Sequence, residues 1–352
     1  MDLLEVPKQL PSSTHEVIVV LEEVHLAVDQ IDTAPRSHEI ISYHRIAQAD
    51  EIRRRIQCAS IVIAAQAFIT AESLGEAPYL KCVVTPSSGT NHIDLDECRR
   101  RGIRVAKCLG PTSFAAAEHA LSLYFAARRR TVLLHNELRI VDEHGENSWK
   151  RQHSLAFKMQ MANQRPPCAI DAEVVGIIGH GHIGKRLEAF CKGLGMKVLI
   201  AERKNGGPAR NTAEEMVERT AFDEVIRTAT VLFLSCSSNG DTRNMIDAAE
   251  ISAMRPEIVI INVSRGDVVN TAEVIKALRE QRISGAAADV FDREPASTEE
   301  DSAFLAEDTK ALNLTLSPHL GYFSSKTLVT MKAMVREQIK KFIEGDFRNF
   351  EV

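Results

Sequence analysis

Short apolar runs alternate with stretches of helical periodicity along almost the whole chain. β-branched and aliphatic residues gather at Val17–Leu21, Glu39–Tyr43, Ile61–Ala65, Lys81–Thr85 and Arg104–Lys107. Helix-like segments separate some of them, near Ala47–Cys58 and Leu95–Arg101, and a long helical pattern runs from about Ser113 through Ala117, Leu121, Phe125 and Ala126 towards Leu138. A second set of runs follows at Val174–Ile178, Lys197–Ala201, Val231–Leu234, Val259–Asn262, Gly285–Asp289 and Leu314–Leu316. Alternation of this kind predicts α/β structure with parallel sheets. The last helix is expected to begin near Ser325 and to stop at Gly345, a C′ glycine. Between the two sets, His144–Arg165 is polar, holds the only Trp (Trp149) and ends in Arg165-Pro166-Pro167. It reads as a surface connection with a structural Trp.

Composition narrows the class. The chain has 352 residues, 44% hydrophobic, 26% charged and 5% aromatic, which is ordinary for a globular protein of two domains. Its net charge of −5 comes with no dense basic run, which argues against nucleic acid as a partner. No apolar stretch approaches the ~18 residues of a spanning helix, and the acidic start Met1-Asp2-Leu3-Leu4-Glu5 is unlike a signal peptide. No membrane partner is expected. Seven cysteines are odd in number, widely spaced and without a C-x-x-C pair; free thiols in a reducing, cytoplasmic setting follow. His144 and His153 have no partners at ligand spacing, so no metal site is expected.

The most informative local feature is Val174-Val175-Gly176-Ile177-Ile178-Gly179-His180-Gly181-His182-Ile183-Gly184-Lys185. This G-x-G-x-x-G follows a strand pattern and opens an amphipathic helix. Gly179 suits the tight turn, Gly181 lets a diphosphate approach the backbone, and Gly184 lets helix and strand pack closely. The diphosphate would sit on the positive helix N-terminus. Glu202 stands eighteen residues beyond Gly184, at the end of the next strand, where a carboxylate accepts hydrogen bonds from the adenosine ribose hydroxyls. It favours NAD over a 2′-phosphorylated cofactor. Arg203 and Lys204 follow at once, however, so NADP stays open.

Three further segments carry polar residues beside strand ends: Ile261–Val269, Gly285–Pro295 and Leu316–Gly321. Reduction of a 2-keto acid needs a cation for the carboxylate and ketone, a proton donor, and a group that holds the donor. Arg265, His319 and Glu294 supply those types in that order.

At these residues the chain resembles the D-isomer-specific 2-hydroxyacid dehydrogenase family over nearly its whole length. Lys81–Cys108 is similar to the family's first-domain loop, strand and helix; Ala117-Glu118 opens the connecting helix; Asn262–Gly266, Gly285–Pro295 and Ser317–Gly321 match later motifs. The resemblance implies two Rossmann-like domains with parallel sheets around a central cleft. One would be a substrate-binding domain of residues 1–111, completed by 323–352; the other an NAD-binding domain of residues 112–322. It implies that Arg265 binds the substrate carboxylate and carbonyl, that His319 is the acid/base and that Glu294 pairs with it. Ser87, Ser88 and Gly89 would offer backbone N–H groups to the substrate. His182 and Ile183 would meet the diphosphate, Cys236, Val263 and Ser264 would line the cofactor, and Asp289 would hold the nicotinamide carboxamide. The helix from Ser113 would serve a two-fold homodimer.

Departures from the family pattern bear on the substrate. Phosphoglycerate-type members carry Arg and Ser where this chain has Ala64-Ala65-Gln66-Ala67, and the sequence stops at Val352, without room for a regulatory domain. Formate dehydrogenases place Gln where Glu294 stands. Ser237 replaces a family Pro, a change expected only to adjust the cofactor loop. The reading that follows is an NAD(H)-dependent reductase of a small non-phosphorylated 2-keto acid. A dinucleotide-sensing corepressor of the C-terminal-binding-protein type is the alternative.

Overall fold

The computed structural model describes residues 4–45, 48–206 and 217–352. Ala47, where the first helix was expected to begin, lies outside them. The chain divides into two compact units, residues 1–112 with 323–352 and residues 113–322.

The first unit runs β1 (His15–Val20), β2 (Ser37–Ser42), α1 (Ala49–Ile56), β3 (Ile61–Ile63), α2 (Ala71–Gly75), β4 (Cys82–Thr85), α3 (Leu95–Arg101) and β5 (Arg104–Lys107). Every strand pair is parallel, in the order β2-β1-β3-β4-β5. β1 is buried along its whole length, as a central parallel strand covered on both faces must be. Its neighbours depart from the expected runs at their ends: β2 begins two residues before Glu39 and stops one short of Tyr43, and β3 stops at Ile63 rather than Ala65. Asp94 caps α3 by accepting from the Glu97 N–H, and Gly102 closes that helix in the left-handed conformation, the ordinary N- and C-terminal devices of a short helix.

The second unit opens with α4 (Ser113–Arg128), α5 (Thr131–Arg139) and α6 (Ser148–Gln152). It continues β6 (Val174–Ile178), α7 (His182–Gly193), β7 (Lys197–Ile200), α8 (Phe222–Thr228), β8 (Val231–Leu234), α9 (Ala248–Ala253), β9 (Val259–Asn262), α10 (Thr271–Arg279), β10 (Gly285–Ala288) and β11 (Leu314–Leu316). Its six parallel strands are ordered β7-β6-β8-β9-β10-β11. Successive side chains of β8 go to opposite cores: Val231 and Phe233 to one, Leu232 and Leu234 to the other. That period of two is the strand pleat itself. The chain then returns to the first unit as α11 (Ser325–Glu344), with Ser324 as N-cap and Gly345 left-handed behind it. Both sheets thus place their third strand beside the first, and the switch point lies between β1 and β3 in one unit and between β6 and β8 in the other. Open α/β sheets bind ligands at the carboxyl ends of the strands at such points.

Two expectations need correction. The long helix does not run unbroken to Leu138: it stops at Arg128, and Arg130 adopts φ +49° before α5 begins. Arg128 is drawn inward, where Nη2 donates to Glu173 Oε2 (2.8 Å) and Thr230 O (2.8 Å), and Nη1 to Glu257 O (2.8 Å). An arginine buried to 2% exposure needs such partners, and meeting them ends the helix. Trp149 is not a structural core residue either. It is 56% exposed on α6, and neither α5 nor α6 buries any side chain.

Candidate active site

The fingerprint turn follows β6 directly. Gly179 has φ +94°, and a Cβ there would stand 2.5 Å from the Cys236 backbone nitrogen. A Cβ on Gly184 would stand 2.1 Å from the Gly179 carbonyl oxygen. Both positions therefore demand glycine. Nothing lies within 4 Å of a Cβ built on Gly181, so the middle glycine faces open space. It is also the N-cap of α7, with no side chain bonded to the helix start. Orphan N–H groups and the helix dipole there form an anion cradle. The Ser235 hydroxyl donates to Gly179 O (2.7 Å) and braces the turn. His180 Nε2 lies 2.7 Å from Glu188 Oε2 on α7. Burial alone would raise the Glu188 carboxyl, but bonds from Lys192 and His180 hold it below the usual range.

The other cofactor candidates surround this turn. His182, exposed, and Ile183, half-buried, begin α7. Cys236 packs beside Gly179, and burial pushes its thiol up to about 11, so it is a neutral wall. Val263 and Ser264 are buried after β9, where the Ser264 N–H (3.0 Å) and hydroxyl (2.7 Å) both donate to Asn262 Oδ1. Glu202 is exposed just beyond β7, its N–H bonded to Thr220 O (2.9 Å). Lys204 is already committed, with Nζ 2.8 Å from Glu250 and 5.7 Å from the Phe222 ring centre; Arg203 is exposed and forms no ion pair with a described carboxylate. The residues present fit a bound dinucleotide.

The three catalytic candidates stand in the same unit. His319 Nδ1 lies 2.5 Å from Glu294 Oε2, and the other oxygen of Glu294 accepts the Phe291 N–H (2.9 Å). Among the described residues His319 Nε2 has no partner, and the ring keeps 31% of its surface open. Arg265 follows β9, with Nη1 donating to Ser264 O (2.7 Å) and its own carbonyl accepting from Asn262 Nδ2 (2.9 Å). It forms no ion pair with a described carboxylate, so most of its donor fork is available. Gly266 lets this segment meet the turn that carries Glu294: a Cβ there would be 2.0 Å from Phe291 O.

Asp289 is 3% exposed. Oδ1 accepts from the Ser317 hydroxyl (2.6 Å) and Leu320 N–H (3.0 Å), and Oδ2 from Gly321 N–H (2.7 Å). Ser87, Ser88 and Gly89 lie in the other unit, after β4. There Ser87 Oγ donates to Gly89 O (2.6 Å) and Ser88 Oγ to Cys108 O (3.1 Å). The hydroxyls shape the loop, and among the described residues the Ser88 and Gly89 N–H groups donate to nothing.

A family model described as "D-isomer specific 2-hydroxyacid dehydrogenase, NAD binding domain" matches residues 132–321. The chain belongs to the D-isomer-specific 2-hydroxyacid dehydrogenase family. It is 32% identical to a glyoxylate reductase of Thermococcus litoralis over 78% of this chain and 77% of the relative. It is 27% identical to a glycerate dehydrogenase of Methylorubrum extorquens over 89% and 91%. Among solved structures, the D-lactate dehydrogenase of Aquifex aeolicus, complexed with NAD and lactic acid, superposes with a TM-score of 0.70 over 96% of this chain and 99% of that one, at 21% identity.

As a member of this family the protein is an NAD-dependent oxidoreductase with two parallel-sheet α/β domains. Two groups escaped the sequence reading. His119, on α4, reaches Ser317 and Asp289; its only signal was a histidine one residue past Ala117-Glu118. Glu22, after β1, accepts the N–H groups of Ala65 (2.6 Å) and Gln66 (3.0 Å), a pairing across 43 residues that no local pattern shows. Among the described residues no group of three or more His, Cys, Asp or Glu side chains could hold a metal, and no helix is long and apolar enough to cross a membrane.

Proposed function

We propose that this dehydrogenase reduces a small non-phosphorylated 2-keto acid, of the size of glyoxylate or hydroxypyruvate, with NADH. The contact that carries the reading is His319 Nδ1 on Glu294 Oε2, because it fixes the ring and turns an unpartnered Nε2 outward. Reduction adds a hydride to the carbonyl carbon and a proton to its oxygen; the bound nicotinamide supplies the hydride. Arg265 holds the substrate carboxylate and carbonyl oxygen with its donor fork, which lowers the cost of the developing alkoxide. His319 gives its Nε2 proton to that oxygen, and Glu294 keeps the imidazolium oriented. Residues 113–322 are the cofactor domain, with the diphosphate on the N–H groups of His182 and Ile183, Cys236, Val263 and Ser264 along its wall, and Glu202 on the ribose. Glu202 would repel a 2′-phosphate, and with Lys204 paired the preference is for NADH.

The other unit, residues 1–112 with 323–352, contributes the substrate groups, the N–H donors of Ser88 and Gly89 beside Ser87. The Ala64–Ala67 loop has no cation to offer, and Glu22 already occupies two of its N–H groups, so a phosphorylated acid would be desolvated without a partner. The exposed apolar side chains Val132, Leu138, Ile140, Val141, Trp149 and Phe157 support a homodimer built on this segment. Seven free cysteines fit a cytoplasmic setting.

NADH oxidation with a panel of 2-keto acids tests the proposal: glyoxylate and hydroxypyruvate should turn over, and phosphorylated acids poorly. NADH binding without turnover of any member would make the chain a dinucleotide sensor instead. Arg265→Lys should lower kcat/KM by roughly 100-fold or more, since a lysine cannot engage two oxygens with a rigid fork. Full activity in that variant removes Arg265 from the site.

A further inference from the structure

The loop that carries His319 is tied down from inside its own unit. His119 Nε2 lies 2.8 Å from Ser317 Oγ and 3.3 Å from Asp289 Oδ1. Ser317 Oγ lies 2.6 Å from the same Asp289 oxygen. A carboxylate can only accept, so Ser317 spends its single hydroxyl proton on Asp289. Its oxygen then accepts from His119, and the imidazole must carry a proton on Nε2. The donors run in one direction, from His119 through Ser317 to Asp289.

Asp289 also takes the N–H groups of Leu320 and Gly321, the two residues that follow His319. Gly321 sits so close that a Cβ there would be 2.7 Å from Asp289 Oδ2 and 3.1 Å from His119 Cδ2. His319 itself has φ +51°, a left-handed conformation that side-chain-bearing residues keep only when their surroundings impose it. Burial alone would raise the Asp289 carboxyl; the bonds from His119, Ser317 and Gly321 hold it below the usual range. Among the described residues His119 is the titratable side chain that touches this carboxylate.

We propose that His119 is a positioning residue that acts as an Nε2–H donor and, through Ser317 and Asp289, holds the 317–321 loop so that His319 keeps its orientation. The kinetic consequence rests on the acid/base role assigned to His319 above; the tautomer and the hold on Asp289 do not.

His119→Leu removes the donor while keeping bulk, and His119→Gln returns an N–H close to the position of Nε2. In the Leu variant the rate of keto-acid reduction should fall roughly tenfold or more, the size of one lost buried hydrogen bond. KM should change little. A new acid limb should appear in its pH–rate profile and in its NADH affinity read by fluorescence. With one bond fewer, Asp289 takes up a proton at higher pH and releases the loop. The Gln variant should recover most of the rate and lose the new limb, and thermal melts confirm that both variants fold. In the wild-type protein without cofactor, ring ¹⁵N shifts should show neutral His119 as the Nε2–H tautomer. An Nδ1–H tautomer, or a folded Leu variant with the wild-type rate and pH profile, overturns the proposal. If the wild type reduces no keto acid at all, the acid/base reading fails on its own, and the ring-nitrogen shifts and the pH dependence of NADH affinity still decide the role of His119.

Discussion

At the switch point between β6 and β8 the structure keeps space empty. Gly181 faces nothing within 4 Å, and no side chain caps the first turn of α7. At the matching point of the other unit, between β1 and β3, the Glu22 carboxylate leaves β1 and takes the N–H groups of Ala65 and Gln66 behind β3. Both turns present backbone donors at the carboxyl end of a parallel sheet, where an anion is welcome. One leaves them for a ligand, and the other fills them with an anion of its own chain. Strand order alone therefore does not make a dinucleotide site.

The largest effect should come from filling the open side. Gly181 has φ −85° and room for a side chain, so Gly181→Val should fold with an unchanged melting temperature. It should nevertheless lose NADH affinity by roughly 100-fold, the equivalent of about 2.7 kcal/mol. Isothermal titration measures this, and wild-type affinity in the variant would move the diphosphate elsewhere.

Emptying the filled side should cost less. Glu22→Ala leaves the N–H groups of the half-buried Ala65 and Gln66 without their carboxylate and should destabilise the fold by about 1–3 kcal/mol. Inorganic phosphate should then raise the melting temperature of the variant by more than that of wild type, which has only the cradle at Gly181 to offer it. An equal response of both proteins would show that the loop is not an anion site.

The smallest effect separates Glu22 from Asp289, the two buried carboxylates that each accept successive backbone N–H groups. Burial outweighs the backbone bonds at Glu22 and raises its carboxyl above 4.5, whereas side-chain donors outweigh burial at Asp289 and lower it below 3.8. The signs oppose each other. Glu22 favours the folded state most below pH 4.5, and that contribution is lost as pH rises through its folded value. Asp289 contributes above pH 3.8 and loses that contribution as pH falls through its own. Melting temperatures of Glu22→Gln relative to wild type should therefore climb as pH rises above 4.5, while Asp289→Asn should fall relative to wild type as pH rises towards 3.8 and level off above it. Parallel trends in the two variants would refute the contrast.

Much of the fold was legible because its signals are local. Val174–Ile178, Val231–Leu234 and Val259–Asn262 begin and end as their apolar runs do, since a strand buried along nearly all of its length needs an unbroken run. The fingerprint was legible because steric demands at Gly179 and Gly184 leave no other residue type. The break after Arg128 was not, because it depends on Glu173, Thr230 and Glu257, far along the chain. The same holds for Asp289. The family resemblance implied a cofactor contact for it, but its partnership with His119 spans α4 and the strand-end loop, and only the folded chain brings them together.

The return of α11 has a consequence for how the protein is made. α11 packs against β4 and β5, burying Met331, Val335, Ile339 and Phe342, and Glu351 N–H donates to Val105 O (2.8 Å). A ribosome releases the strands of that sheet well before its covering helix, with residues 113–322 between. At ordinary elongation rates the sheet waits roughly 10–40 s for its cover. During that interval Val83 and Val105, buried in the finished protein, lie on a sheet whose last layer has not been synthesised. A premature stop at codon 323 would leave the sheet of β1–β5 permanently in that state, so damage late in the message would surface as aggregation of a region translated long before.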